Sequence, residues 1–255
     1  VLVTADNFKD ITHAELTNGD SQGSLTLRVK RNLSSDLAQQ LDQMARNENF
    51  RVYLDDGKKI TALNEPAELN YSIPDFNIQL NFLPGDFLQV NSDVNLKMIS
   101  RAVEWLELNK SDRLLDLFCG IGNFTLPAAT LCNNVVGVEG VQEMVARATS
   151  NAQLNKLTNC DFYRADLTKD LRALPWFKQG FSKVILDPPR TGASEVIEQL
   201  QNYNAEKVLY ISCNPSALAR DGALLAEQGY KLSRFCVMDM FPQTSHVESM
   251  ALFEK

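Results

Sequence analysis

From residue 91 onward, short apolar runs alternate with longer amphipathic stretches, and this rhythm limits the fold more than any other feature of the chain. The apolar runs are residues 113–118, 135–139, 160–166, 183–187 and 207–213. Helical patterns separate them at 94–108, 141–155, 194–203 and 216–228. Strands joined through helices imply βαβ units and a mostly parallel sheet, because parallel neighbours need a crossover connection between them. The end of the chain breaks the rhythm. Residues 230–240 and 246–253 are two strand-like runs joined by 241–245 alone, which fits an antiparallel hairpin at the sheet edge.

Residues 1–90 read as a separate, β-rich α+β unit. Alternating runs at 24–30 (SLTLRVK), 50–54 (FRVYL) and 77–82 (NIQLNF) flank one helical stretch at 35–47, and turn signals at 18–20, 55–57 and 84–86 punctuate the rest. The expected division is therefore 1–90 and 91–255. No internal repeat is present.

Composition excludes some classes and leaves others open. With 44% hydrophobic and 22% charged residues, the chain has enough apolar material to bury a core and is not a disordered polymer. No run approaches the roughly 18 apolar residues of a membrane span. Residues 1–6 carry neither the basic nor the apolar region of a secretory leader, and there is no initiator Met, so the sequence is expected to be a fragment of something longer. Cys119, Cys132, Cys160, Cys213 and Cys236 form no CxxC pair and no metal-ligand spacing, which suits free thiols in a reducing cytoplasm. A net charge of −7 argues mildly against a nucleic-acid partner. Its distribution is uneven: residues 1–90 hold 13 acids against 8 bases, and the remainder 19 against 17.

Two motifs point to a nucleoside cofactor. In the segment 115–124 (LDLFCGIGNF) an apolar strand ending in Asp116 runs into a glycine loop and then a helix near Thr125. Glycines there let backbone approach a ligand, and the helix start offers free N–H groups. A dinucleotide loop would read GxGxxG, but only Gly120 and Gly122 are present. This favours S-adenosylmethionine (SAM), although a lone GxG is weak evidence. About 20 residues on, Glu139 ends the next strand, where a carboxylate can accept from both ribose hydroxyls. Asp166 ends the third strand, within reach of an adenine amine. Any one such acid is as readily a helix cap or a solvated loop residue. Three at successive strand ends make that reading weaker.

The next two strand ends carry candidate chemistry. Asp187-Pro188-Pro189-Arg190 stiffens a turn and fixes the direction of Asp187, as in methyltransferases acting on planar amines or bases. Cys213, in 211–215 (ISCNP), ends the following strand and faces a helix start, a setting that favours a thiolate. An exocyclic amine needs no thiol. Carbon 5 of a pyrimidine does, because it becomes nucleophilic only after something adds to carbon 6. That route also needs a base to remove the C5 proton, and Glu248, with His246 nearby, is the candidate.

Together DLFCGIGNF, VVGVEG, ILDPPR, ISCNP, MDMFPQTSHVESM and GDFLQVN closely resemble the bacterial RNA (uracil-5-)-methyltransferases, in particular those of the 23S ribosomal RNA type. The resemblance covers essentially the whole chain. It implies a class I SAM-dependent methyltransferase domain, with a Rossmann-like, mostly parallel sheet and an antiparallel C-terminal hairpin strand, preceded by part of a small α+β central domain that binds RNA. It implies Cys213 as nucleophile and Glu248 as base. SAM contacts carry over to Gln89, Phe118, Asn123, Glu139, Asp166 and Asp187, and substrate contacts to Phe87, Gln89 and Asp187. Related cytosine enzymes carry a second cysteine in the Pro-Pro motif. Its absence here favours uracil, at a 1939-type uridine of 23S ribosomal RNA, in a protein expected to be a cytoplasmic monomer. The family's longer members add an OB-like domain and a four-cysteine [4Fe–4S] cluster. This sequence has neither, so no metal is expected in this chain, and weak RNA binding by the fragment alone is. A tRNA uracil-5 methyltransferase, an amino-group methyltransferase using the Asp-Pro-Pro turn, and a non-catalytic RNA-binding fragment stay open as alternatives.

Overall fold

The structure, a computed structural model, describes residues 8–203 and 205–255. Residues 1–6, read above as no leader, lie outside the described residues. The chain divides into two compact units: Val1–Ser72 with Gln79–Asp86, and Ile73–Ile78 with Phe87–Lys255. Among the described residues no helix is long and apolar enough to cross a membrane.

The first unit holds β1 (Ile11–Asn18), β2 (Gly23–Val29), α1 (Ser35–Asn47), β3 (Phe50–Asp55) and β4 (Ile60–Ala62), in a sheet of order β1-β2-β3-β4. β2 and β3 are parallel, with α1 as their crossover, and the outer pairs are antiparallel. Helix α1 starts where the Ser34 hydroxyl accepts the Leu37 N–H. Its buried Leu37, Leu41 and Ala45 recur every fourth residue and pack with Leu25, Leu27, Val29 and Val52. Strand β1 has no counterpart in the sequence reading. Residues 12–16 are all exposed, so no alternation marks it, and the backbone ladder to β2 is what holds it. β5 (Asn70–Ile73) and β6 (Ile78–Asn81) pair as a two-stranded hairpin.

The second unit contains α2 (Ser92–Leu106), β7 (Arg113–Leu117), α3 (Thr125–Ala129), β8 (Asn134–Glu139), α4 (Gln142–Leu154) and β9 (Cys160–Arg164). β10 (Lys183–Leu186), α5 (Ser194–Leu200), β11 (Lys207–Ser212), α6 (Pro215–Glu227), β12 (Lys231–Met238) and β13 (Glu248–Glu254) follow. The sheet order is β12-β13-β11-β10-β7-β8-β9, with β7 to β11 parallel and β13 antiparallel to both its neighbours. Leu114, Leu115, Val135, Val136, Val184, Leu186, Val208 and Leu209 are all buried, which explains the continuous apolar runs: helices cover the faces of the parallel strands. The chain winds from β7 out to β9, then returns to β10 and β11 on the other side. That reversal leaves a crevice at the C-terminal ends of β7 and β10, the usual ligand position in such sheets.

Two details differ from the sequence reading. The strand expected to stop at Asp116 runs on to Leu117, so Asp116 is inside the sheet rather than at its rim. The terminal hairpin is present, but its second strand is inserted next to β11 and its first lies at the edge. Burial explains the order. Residues 248–253 are buried throughout and suit a central strand, whereas β12 is largely exposed.

Candidate active site

The glycine loop after β7 is held in an uncommon backbone conformation. Phe118, Gly120 and Gly122 all have positive φ (67°, 55° and 100°). Phe118 is the notable one, since a side chain in that region is strained and such strain gathers at functional sites. Its N–H donates to the Val138 carbonyl at 2.9 Å, which ties the loop to β8. The Glu139 carboxylate completes the cradle. One oxygen accepts from the Gly140 and Val141 N–H groups at 2.7 and 3.0 Å, the other from Gly120 N–H at 3.2 Å. Nothing lies within 4 Å of a Cβ built at Gly120, so the loop faces open space there.

Gly137 supports this loop from below. A Cβ there would meet the Phe162 ring at 2.6 Å and the Cys119 sulfur at 3.0 Å. Gly137→Ala therefore destabilises the protein by about 1–3 kcal/mol through overpacking. Urea unfolding measures this, and an unchanged midpoint would contradict the close approach.

Asn123 makes a reciprocal amide pair with Asn95 of α2, at 2.9 and 3.1 Å. The sequence reading missed Asn95, although a polar residue on the apolar side of α2 was the signal to look for. Gln89 and Phe87 lie on the segment leading into α2; Gln89 is half-buried and Phe87 is 69% exposed. Asp166 falls two residues beyond β9 and is exposed. Its carboxylate accepts from the Thr168 hydroxyl and N–H, which hold its pKa below the usual range.

Three carboxyl groups have raised pKa values, Asp116 just inside the sheet and Asp187 and Glu248 at its strand ends. Asp116 is fully buried; one oxygen accepts from the Thr125 hydroxyl, and the other has no hydrogen-bond partner. Burial pushes it up to about 7, against the Thr125 hydrogen bond, and the charges of Asp187 and Glu139 add to the rise. Asp187 directly follows β10 and keeps a partial opening to solvent, yet the protein packed around its carboxyl pushes it up to about 7. Glu248 is 5% exposed and is also raised to about 7, by burial and then by the charge of Asp187.

The last paired residues of β11 and β13 are Ser212 and Ser249, so Cys213, just past β11, and Glu248, the first residue of β13, both adjoin the same end of the ladder. The Ser249 hydroxyl donates to the Ser212 carbonyl at 2.9 Å and pins that end. Cys213 is half-buried, immediately before α6, whose cap is the Asn214 side chain. His246 is exposed, and its ring packs edge-on against Phe241. Beside these strand ends lies a cavity of about 700 Å³, lined by Phe118, Leu167, Thr168, Pro189, Arg190 and Asn214 among others.

A glycine loop facing open space, a carboxylate at the second strand end and this cavity fit an adenosyl group. Two buried carboxyls, Asp116 and Asp187, fit a positively charged ligand. A thiol just past β11 and a buried carboxyl with a pKa near 7 at the start of the adjoining strand are the groups that nucleophilic addition coupled to proton removal requires.

Comparison with known proteins identifies the family. A family profile described as tRNA (Uracil-5-)-methyltransferase matches residues 16–255. The 23S rRNA (uracil(1939)-C(5))-methyltransferase RlmD of Xanthomonas axonopodis pv. citri is 46% identical over 254 residues, which is 98% of this chain and 57% of the relative. That of Pseudomonas aeruginosa is 46% identical over 246 residues, 96% of this chain and 54% of the relative. The chain thus spans a little over half the length of the curated relatives it matches. The solved structure of Pyrococcus abyssi tRNA (uracil-54, C5)-methyltransferase with S-adenosyl-L-homocysteine superposes with a TM-score of 0.72 at 22% identity, covering 93% of this chain and 58% of that one. M. jannaschii TYW2 in complex with AdoMet gives 0.60 at 16% identity, covering 94% and 100%. At such identities these structures speak to the fold alone, which is that of class I SAM-dependent methyltransferases.

Proposed function

Because this chain belongs to the tRNA (uracil-5-)-methyltransferase family, we propose that it carries the catalytic part of an enzyme that methylates C5 of a uridine in RNA. The observation that supports the reading is the register of β11 and β13, whose last pair, Ser212 and Ser249, is adjoined by Cys213 and Glu248. The names of the 46% identical relatives favour 23S ribosomal RNA, at the uridine those names give, as substrate. The protein is proposed to act there as a cytoplasmic monomer.

In the proposed mechanism the Cys213 thiolate adds to C6 of the uracil, forming an S–C6 bond and moving electron density onto C5 and O4. S-adenosylmethionine, when bound, supplies an electrophilic methyl group on a positively charged sulfur. Phe118, Asn123, Glu139 and Asp166 would hold its adenosyl part, and Asp187 and Gln89 would contact both ligands. C5 would take up the methyl group and become tetrahedral as the methyl–sulfur bond breaks, its electron pair staying on sulfur so that a neutral thioether leaves. The Glu248 carboxylate then accepts the C5 proton, the electron pair restores the C5–C6 double bond, and the Cys213 sulfur leaves. Phe87 packs on the base. A uridine stacked within folded RNA must first be splayed out to reach these groups.

The deciding experiment incubates the protein with methyl-labelled SAM and separate 23S ribosomal and transfer RNAs, then maps the product. Label in 5-methyluridine of ribosomal RNA is expected. Label in transfer RNA alone would replace the substrate, and label on an exocyclic amine would overturn the chemistry.

The buried carboxyls make a second prediction. A cationic sulfonium favours the ionised forms of Asp116 and Asp187, both raised to about 7. Binding of the cation is therefore coupled to proton release, and its preference grows as pH rises. Affinity for SAM relative to the neutral thioether product should increase on the order of threefold to tenfold between pH 6 and 8. Titration calorimetry with both ligands measures the ratio, and a flat ratio would remove these carboxyls from the sulfonium's surroundings.

A further inference from the structure

The loop that begins with Asp187 is clamped by side chains from the strand end and helix that follow Cys213. Residues 189–192 form a tight turn, with the Gly192 N–H donating to the Pro189 carbonyl at 2.9 Å. Three backbone groups of this loop point toward α6, and each finds a side chain. The Arg190 carbonyl accepts from Asn214 Nδ2 at 2.9 Å. The Thr191 carbonyl accepts from Arg220 Nη2 at 2.8 Å. The Ala193 N–H donates to Asp221 Oδ2 at 2.7 Å.

Asp221 is wholly buried and fully satisfied. The same Oδ2 accepts from the Tyr210 hydroxyl of β11 at 2.6 Å, and Oδ1 accepts from Arg220 Nε at 2.8 Å. Gly192 allows the close fit. Its φ is +87°, and a Cβ there would run into Arg220 Nη2 and into Asp221 Oδ2. A buried ion pair is by itself weak evidence for stability, because desolvation offsets much of its attraction. Its position is more informative. Tyr210 lies in β11 and Cys213 directly follows that strand, α6 starts two residues after Cys213, and the loop it grips starts at Asp187.

We propose that Arg220 and Asp221 are positioning residues that lock loop 187–193 against β11 and α6, so that Asp187 holds a fixed register to Cys213 during methyl transfer. The proposal rests on the function proposed above for its catalytic consequence, but the lock itself is testable without activity. Neither residue touches the reacting atoms. They act through the loop, and displacement of a catalytic group by about 1 Å can lower a rate as much as ~10²-fold.

The test compares Arg220→Gln and Asp221→Asn with the wild type, each checked for folding by circular dichroism. The first readout is amide hydrogen exchange in 187–196. It is expected to accelerate at least ~10-fold in both variants, with β10 and the body of α6 unchanged. The second is steady-state kinetics with 23S RNA. At saturating SAM and RNA, kcat is expected to fall ~10-fold or more while the KM for RNA stays within about twofold. Unchanged exchange in the loop overturns the lock, whether or not the wild type is active. A loosened loop with wild-type kcat overturns its catalytic role. A rise confined to the KM for RNA would make Arg220 an RNA contact and overturn the positioning role. If Asp221→Asn fails to fold, Arg220→Gln decides alone, since that side chain is 51% exposed and its loss leaves the core intact. Absence of 5-methyluridine from the wild type on every RNA defeats the functional reading instead, and the exchange data still judge the lock.

Discussion

Cys213→Ala abolishes uridine methylation, with a loss of at least ~10⁴-fold, while SAM still binds. The size of the effect follows from the chemistry. Without addition at C6, carbon 5 of uracil has no electron density with which to take a methyl group, and no neighbouring group replaces the thiol. The residue is half-buried at the end of β11, outside the apolar cluster, so truncation leaves the sheet intact. The cradle formed by Phe118, Gly120 and Glu139 belongs to β7 and β8 and does not depend on it. Two measurements are needed: methyl incorporation from labelled SAM, and SAM affinity by calorimetry. An alanine variant that methylated RNA at the wild-type rate would refute covalent catalysis and favour the amino-group alternative. One that lost SAM binding would show that the cysteine serves the cofactor site.

Glu248→Gln stops the reaction one step later. Addition and methyl transfer proceed, but the C5 proton has no acceptor, so the S–C6 bond persists. A protein–RNA adduct should accumulate and survive a denaturing gel, with turnover reduced by ~10²–10⁴-fold. No adduct would count against Glu248 as the base. The same substitution should stabilise the protein at alkaline pH. The carboxyl is raised from 4.5 to about 7, by burial and then by the charge of Asp187. The folded state therefore favours its neutral form. Stability is unaffected by this group below about 4.5, declines as pH rises through 7, and is lowest above it. Glutamine carries no charge to bury. Thermal denaturation should find the variant more stable by on the order of 1–3 kcal/mol at pH 8, with the advantage shrinking toward pH 5. An equal difference at both pH values would mean that something other than ionisation is responsible. A base that weakens its own fold when ionised is the expected trade between stability and activity.

Strands buried on both faces are legible in the sequence, since parallel neighbours covered by helices leave mostly apolar interiors in β7, β8, β10 and β11, Asp116 being the exception inside β7. Helix α1 was equally clear, because its cap and its four-residue apolar spacing are local. Strand β1 was not legible. Residues 12–16 all face solvent and the backbone ladder to β2 holds the strand, so no alternation of residues records it. The order of the last two strands was also hidden. Each has its own hydropathy, but which one lies against β11 is decided by which buries more apolar surface there.

For the site, the sequence by itself determined the chemical inventory: a glycine loop, a line of acids near strand ends, a thiol before a helix and an acid near the C-terminus. Those are local facts, set by residue type and by position relative to a strand. Proximity was decided by the tertiary structure alone. Cys213 and Glu248 are 35 positions apart in the chain and adjoin the same end of one ladder because β13 runs antiparallel beside β11. A shift of one residue would turn Glu248 to the opposite face of the sheet. The raised pKa values of Asp116, Asp187 and Glu248 likewise arise from what the fold packs around them, which no linear pattern encodes.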